Sequence, residues 1–274
     1  MARLHIRIPP KAFTLIELLV VIAVIGVLIG VLLPALKGAR AAGRAAVCLS
    51  NQRSIATALN MYADDSKRIV PRECGTSDLS IPAVPLNSTP ALTDAEKVTI
   101  SWAFNLRPYL DPLATTRDKT GGVNDDRFVG APYYRDPARP KDRHTLHYVA
   151  NGFKFRAPGV VGGTKPPAPL DLVRNPSRTI YLTCFNDDSD ELRASNWLNG
   201  NPSTLQVSQF YDVWSETHLK GALAGPADTP ANAQRIAPGR HNGSTNAAFF
   251  DAHAGALRAD QVTDLALWDD GDYR

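Results

Sequence analysis

Three side chains near the C-terminus have the chemistry of a metal site. They are His241, Asp251 and His253, and imidazole and carboxylate groups are frequent ligands of divalent metals. A strand over residues 246–250 would return the chain toward His241, and three protein ligands would leave an open coordination position. In the alternative interpretation, His241 and Asp251 cap a β-hairpin by hydrogen bonding to turn amides.

A second, oxygen-rich segment could bind calcium. Residues 186–191 read NDDSDE, and clustered carboxylate oxygens are the ligands that calcium prefers. The segment lacks the glycine and the terminal glutamate spacing of an EF-hand loop, and a solvated loop is the alternative. We therefore predict no cofactor, with a structural calcium or other divalent metal as the exception that these residues leave open.

The spacing of the three cysteines indicates no metal site. Cys48, Cys74 and Cys184 form no CxxC pair, and an odd count leaves at least one thiol unpaired within the chain. If the domain that carries them is exported, Cys74 and Cys184 could form a disulfide. Three unpaired thiols, some of them buried, are the alternative.

No set of residues indicates catalysis. Ser244, His241 and an acid could be combined into a triad, but no GxSxG turn follows a predicted strand. Nothing beside His241, Asp251 and His253 supplies a general base or orients a substrate. We therefore predict that the chain is not an enzyme and that a metal held by these residues would be structural.

The first structural element of the chain begins with an apolar segment near the N-terminus. Residues 13–36 carry one charge, Glu17, and as a helix they would span roughly 36 Å, which is enough to cross a bilayer. Residues 18–33 are apolar on every helical face. Such a helix must contact lipid or other helices all round.

Basic residues are concentrated before this segment. The formal net charge is +3, and the first twelve residues hold Arg3, Arg7 and Lys11 without an acid. Removing these three charges leaves a net charge of zero, so there is no electrostatic reason to expect a nucleic-acid partner. By the positive-inside rule the N-terminus stays cytoplasmic and the rest of the chain lies outside.

Residues 11–28, KAFTLIELLVVIAVIGVL, resemble the class III signal of type IV pilins and type II secretion pseudopilins. A standard secretory signal has a shorter apolar region with its cleavage site on the far side, whereas here the small residue Ala12 precedes the apolar run. The resemblance implies that a prepilin peptidase cuts between Ala12 and Phe13 and methylates the new N-terminus. The family usually has glycine before the cut, so Ala12 is a departure that could slow processing.

Glu17 is the most informative single residue of this segment. The resemblance implies that its carboxylate pairs with the N-terminal ammonium of Phe13 on a neighbouring subunit and sets the axial register. A carboxylate inside a membrane helix costs at least about 2.5 kcal/mol and is normally retained for a partner. The alternative is that Glu17 simply reaches toward the membrane interface.

After Pro34 the apolar pattern narrows to one helical stripe. Its members are spaced by seven, four and three residues, as on one face of a helix, and the opposite side is polar. This predicts one helix over residues 13–65, whose half at 37–65 is amphipathic and lies on a globular domain. The stripe is Cys48, Ile55, Leu59 and Tyr62, and the polar side carries Arg40, Arg44, Asn51 and Arg53.

Residues 66–274 lack the long apolar run of the N-terminal segment and contain no second span long enough to cross a membrane. Four segments have the β-branched and aromatic content of strands and are bounded by turn residues, whereas three others read as long loops. We predict an antiparallel sheet against the helix. The strand segments are Val98–Phe104, Leu146–Phe155, Thr179–Phe185 and Asn246–Phe250, and the loops are Thr115–Asp126, Ala157–Pro169 and Gly221–Pro238.

Short segments along the chain resemble the same pilin-like group. They include CLSN at 48–51, MYADD at 61–65, HYVANGF at 147–153, NPSRTIYLTCF at 175–185 and RHNGSTNAAFFDAHAG at 240–255. The last segment has Ala252 where the group usually has the glycine of a DGH sequence. The resemblance implies a pilin-like α+β fold, with a long N-terminal helix packed on an antiparallel sheet.

These features predict four regions: a cleavable leader at 1–12, a transmembrane half-helix at 13–36, an amphipathic half-helix at 37–65 and an exported domain at 66–274. The expected function is a structural subunit of a type IV pilus-like or type II secretion pseudopilus filament. Its partners would be prepilin peptidase, other pilin-like subunits, the inner-membrane assembly machinery and lipid. The alternative is a membrane-tethered binding protein that uses the signal for export only.

Overall fold

The computed structural model describes residues 14–71, 102–111, 131–140, 146–153, 169–186, 212–213, 215–221 and 234–270. Several subjects of the predictions lie outside them: the leader with Ala12, Phe13, Cys74, the acidic residues 187–191 and most of the three predicted loops. The chain divides into two compact units, Met1–Gly43 and Arg44–Arg274.

The first element is a helix of 51 residues, α1, Leu15–Asp65. The prediction of one long helix is confirmed to within two residues at its start. The helix continues through Pro34, and the large apolar side chains from Leu15 to Leu36 are exposed. Within the described ranges, α1 is the helix whose length and mean hydropathy suit a membrane crossing, a property that signal sequences share.

The predicted stripe on the second half of α1 is buried. Cys48, Ile55, Leu59 and Tyr62 all pack into the hydrophobic core, whereas Arg44 and Arg53 are exposed. This half of the helix therefore owes its position to apolar burial along one face.

A five-stranded sheet faces this half of α1, in the order β3-β1-β2-β4-β5. The strands are β1 Tyr148–Asn151, β2 Ile180–Cys184, β3 Asp212–Val213, β4 Ser244–Phe249 and β5 Ala254–Arg258. Four of them pair antiparallel, as predicted, and the two-residue β3 pairs parallel to β1. The fold is α+β with a pilin-like arrangement of helix and sheet.

Three of the predicted strands are confirmed as β1, β2 and β4, and the fourth is wrong in the part that the structure describes. Residues 102–104 of the predicted strand Val98–Phe104 open a helix, α2, Trp102–Leu110. The buried side chains Trp102, Ala103 and Leu106 share one helical face, so helical packing overrode the strand propensity of the aromatic residues. Trp102 fixes this face through edge contact with the ring of Tyr134, at a centroid distance of 5.8 Å.

Strand β5 was not predicted, because its sequence AGALR is poor in β-branched and aromatic residues. It forms nonetheless as the partner of β4, paired from Ser244 with Arg258 to Ala248 with Ala254.

Short helices follow two of the strands. Helix α3, Glu216–Lys220, follows β3, and helix α4, Ala259–Val262, follows β5. Among the described residues, single-turn 3-10 helices lie at Pro132–Tyr134, Leu170–Leu172 and Leu265–Leu267.

Two asparagine side chains connect α1 to the sheet. Asn246 on β4 donates from Nδ2 to the carbonyl of Ala45 at 2.7 Å, and Asn60 on α1 donates to the carbonyl of Phe250 at 3.1 Å. Asn246 is buried and Asn60 is half-buried. These bonds fix the position of α1 along the sheet, which apolar contact alone does not specify.

Replacing Asn246 with alanine should lower the free energy of unfolding by about 1–3 kcal/mol, because the half-buried carbonyl of Ala45 would lose the donor that the buried Asn246 side chain supplies. Denaturant unfolding of the full chain in detergent, followed by circular dichroism, measures this change. The matched control is Thr57→Ala, whose hydroxyl makes an exposed bond within the helix and which should change stability by less than about 0.5 kcal/mol. Equal effects of the two substitutions would contradict the assigned role of Asn246.

Candidate functional site

Four side chains with metal-ligating atoms converge beneath α1. Cys48, Asp136, Cys184 and His241 each offer one ligand atom, and these atoms all lie within 4.8 Å of one another. All four residues are buried. They come from four separate parts of the fold, and we call them the Cys/Asp/His cluster.

Local structure explains the placement of the two sulfur atoms. Cys48 belongs to the buried stripe of α1, and Cys184 is the last residue of β2, in which every side chain is buried. The two Sγ atoms are 3.7 Å apart, and both thiols are free. The sequence analysis considered a disulfide between Cys184 and Cys74 and did not foresee Cys48 as the neighbour of Cys184. Cys48 and Cys184 are separated by 136 residues along the chain.

Two turns supply the other members of the cluster. His241 precedes the dipeptide Asn242-Gly243, whose φ angles of 53° and 83° are those of a type I′ turn, for which Asn-Gly is the preferred sequence. The turn is closed by a bond from the N–H of Ser244 to the carbonyl of His241 at 3.1 Å, and the N–H of His241 donates back to the carbonyl of Ser244 at 2.7 Å. Asp136 follows the 3-10 helix Pro132–Tyr134, and its Oδ1 accepts from the N–H of Ala138 at 2.8 Å.

The distances across the cluster are short and similar. His241 Nε2 lies 3.8 Å from Cys184 Sγ and 3.7 Å from Asp136 Oδ2. Gln52 donates from Nε2 toward both sulfurs, at 3.5 Å to Cys48 and 3.3 Å to Cys184. The sulfurs therefore act as acceptors within a polar pocket surrounded by the core.

The same contacts change the acid–base properties of the cluster. Burial opposes ionisation of Cys184, but hydrogen bonds from Cys48 and His241 outweigh it and lower the pKa of the Cys184 thiol. The hydrogen bond to Cys184, together with burial, raises the pKa of Cys48. Burial also opposes protonation of His241, yet the Cys184 sulfur and the Asp136 carboxylate raise the His241 pKa. These contacts thus shift Cys184 toward its ionised form and His241 toward its protonated form.

The predicted set of His241, Asp251 and His253 is not brought together. His241 precedes β4 and the other two follow it, and six residues of strand separate the two ends by roughly 20 Å. Asp251 and His253 instead pair in the exposed β4–β5 turn, with Nδ1 to Oδ1 at 2.5 Å. Asp251 Oδ1 also accepts from the backbone N–H of His253, so Asp251 has the turn-capping role of the alternative interpretation.

Ala252, at the position of the expected glycine, adopts a φ of 69° in this turn. A non-glycine residue in this left-handed region costs about 1–2 kcal/mol. The turn therefore forms without the glycine. Of the predicted calcium segment only Asn186 is described, and its side chain donates to the carbonyl of Gln234.

At the start of α1, Thr14 and Glu17 form a reciprocal pair. The N–H and hydroxyl of Thr14 each donate to Glu17 Oε2 at 2.8 Å, and the N–H of Glu17 donates to Thr14 Oγ1 at 3.2 Å. This arrangement is a capping box, which satisfies backbone donors that a helix start leaves open. Glu17 therefore stabilises the start of its own helix in addition to any role between subunits.

Residues 10–33 match the family model of the prokaryotic N-terminal methylation motif. The chain thus carries a prepilin-type signal, typical of type IV pilins and pseudopilins, as the resemblance of residues 11–28 predicts. The motif implies processing by prepilin peptidase, and with the apolar start of α1 it indicates export and anchoring at a membrane. No curated protein and no solved structure matches the chain.

Proposed function

We propose that this chain is a structural subunit of a type IV pilus-like or type II secretion pseudopilus filament. The observation that carries the proposal is the continuity of the methylation motif at residues 10–33 with a single helix, Leu15–Asp65. The apolar side chains in the first half of that helix have no partner within the described parts of this chain. Stacked copies of the same helix would cover them.

In this proposal, prepilin peptidase cleaves between Ala12 and Phe13 and methylates Phe13. The basic leader keeps the N-terminus cytoplasmic, and the sheet domain lies outside the cytoplasmic membrane of a bacterium. Subunits then leave the membrane and assemble through their apolar helices. Glu17 of one subunit pairs with the Phe13 ammonium of the next, and the role of the chain is structural rather than catalytic.

A second candidate is a membrane-tethered binding protein that uses the signal for export only. The buried Cys/Asp/His cluster favours it, because a metal-binding domain could act without polymerisation. The two candidates differ in whether the mature chain assembles.

The test is mass spectrometry of the mature N-terminus, combined with recovery of sheared surface filaments, in cells that express the native processing machinery. We expect a chain that begins at methylated Phe13 and that sediments in the sheared filament fraction. The matched control is the same strain without prepilin peptidase, which should retain the leader and yield no filaments. Methylated Phe13 on a chain that stays monomeric in the membrane would overturn the filament role and favour the tethered protein.

A further inference from the structure

We propose that the Cys/Asp/His cluster is a structural zinc site in which Cys48, Asp136, Cys184 and His241 are the four ligands. This inference goes beyond the filament role and is independent of it. It concerns only residues of the unit Arg44–Arg274.

The spacing of the ligand atoms fits a tetrahedral zinc ion. Bonds of about 2.3 Å to sulfur and about 2.0–2.1 Å to nitrogen or oxygen place ligand atoms roughly 3.3–3.8 Å apart at tetrahedral angles. Three of the six separations are 3.7 Å between the sulfurs, 3.8 Å from Cys184 Sγ to His241 Nε2 and 3.7 Å from that nitrogen to Asp136 Oδ2, and the other three are at most 4.8 Å. A zinc ion would therefore fit among them with only small movements.

Asp136 provides an independent indication that the cluster binds a cation. Its side chain is fully buried, and while Oδ1 accepts from Ala138, Oδ2 has no hydrogen bond among the described residues. A buried carboxylate oxygen without a hydrogen bond is costly, and this one lies 3.7 Å from the His241 imidazole nitrogen, within the cluster. A bound cation would satisfy it.

The donor set favours zinc over calcium and magnesium. Two thiolates and an imidazole are poor ligands for calcium or magnesium, which prefer oxygen, whereas mixed sulfur and nitrogen sets in tetrahedral geometry suit zinc. Four protein ligands close the coordination sphere, which is the pattern of a structural site.

The surroundings of the cluster supply the outer interactions that such sites need. Gln52 donates to both sulfurs. The hydroxyl of Tyr148 lies 3.7 Å from Cys48 Sγ and 3.2 Å from the carbonyl of Arg135, between which its one hydrogen is shared. The Gln52 amide would offset part of the negative charge of two thiolates. His241 is the most exposed of the four ligands, at 9%, so the ion would enter from its side.

The experiment measures zinc content and zinc affinity of the reduced, full-length chain in detergent, by elemental analysis and by competition with a chromophoric chelator. We expect about one zinc per chain. The Cys184→Ser and His241→Ala variants should lose it, and Gln52→Ala should bind about 10–100-fold more weakly, as outer-shell changes do. The matched control is His253→Ala, which removes an exposed imidazole outside the cluster and should leave zinc content unchanged.

Two further measurements use the unmodified chain and do not depend on the folding of a variant. Removing zinc with a chelator should lower the thermal midpoint, and returning free zinc to about 100-fold above its dissociation constant should raise it by roughly 5 °C or more. Cobalt in place of zinc should show thiolate-to-metal charge-transfer absorption. A chain that binds no zinc, or one in which peptide mapping finds a Cys48–Cys184 disulfide instead, would overturn the site.

Discussion

A Glu17→Ala chain should insert into the membrane normally and be processed at Phe13, yet yield at least tenfold fewer filaments than the unmodified chain. The expected loss follows from the proposed pairing of the Glu17 carboxylate with the Phe13 ammonium of a neighbouring subunit. Two unit charges about 4 Å apart attract by about 4 kcal/mol at an effective dielectric constant of 20. Losing even a third of that attraction weakens each contact about tenfold, since 1.4 kcal/mol is a factor of ten in affinity.

The capping box makes a second variant necessary. Glu17 holds the start of α1 through Thr14, so alanine removes both a helix cap and a charge. Glutamine is the matched control because it also serves at this position of a capping box but carries no charge. We expect Glu17→Gln to insert and to retain the helix start, and still to assemble as poorly as Glu17→Ala.

Filament yield is measured in the sheared surface fraction by quantitative immunoblotting, with the membrane fraction as the reference for insertion. Normal filament yield from Glu17→Gln, together with low yield from Glu17→Ala, would assign Glu17 to capping alone. Normal yield from both would remove Glu17 from the assembly mechanism.

Replacing Trp268 with alanine should lower the free energy of unfolding by about 3–5 kcal/mol, the range for truncation of a fully buried large aromatic side chain. Its indole donates to the carbonyl of Val262 at 2.7 Å, and its own carbonyl accepts from Asn151 on β1 at 2.8 Å. The ring also packs beside Phe153. Trp268 thus attaches the segment after β5 to the opposite part of the sheet.

Denaturant unfolding followed by circular dichroism measures this effect without relying on tryptophan fluorescence. Two variants serve as controls. Trp268→Phe keeps most of the apolar contact and removes the indole donor, so it should cost clearly less than alanine. Leu172→Ala truncates a side chain that is 49% exposed and should change stability by less than about 0.5 kcal/mol. A loss below about 1 kcal/mol for Trp268→Ala would contradict its role in the core.

The sequence predicts the elements whose signal is local. The stripe through Cys48, Ile55 and Leu59 repeats with the helical period, and all three side chains are buried as that period requires. Strands β1, β2 and β4 have β-branched or aromatic residues between turn residues. Strand β5 has neither β-branched nor aromatic residues. Its conformation comes from pairing with β4 rather than from its own residues.

The Cys/Asp/His cluster has no local signal. Cys48 and Cys184 are each predictable as buried, one from the helical stripe and the other from a strand with apolar residues. Their proximity depends on how the helix lies across the sheet, which no spacing in the sequence encodes. Asp136 follows a turn that the sequence analysis did not single out. His241 was singled out, but with partners at the wrong end of β4.

The two asparagine bonds have a consequence for a chain under tension. The acceptor of Asn246 is Ala45, and Asn60 lies fifteen residues further along α1, a distance of about 22 Å. Because α1 is a continuous helix, a pull along its axis loads both attachments and the buried stripe between them in shear. The sheet domain would then resist extraction from its helix as one unit, instead of peeling away one contact at a time.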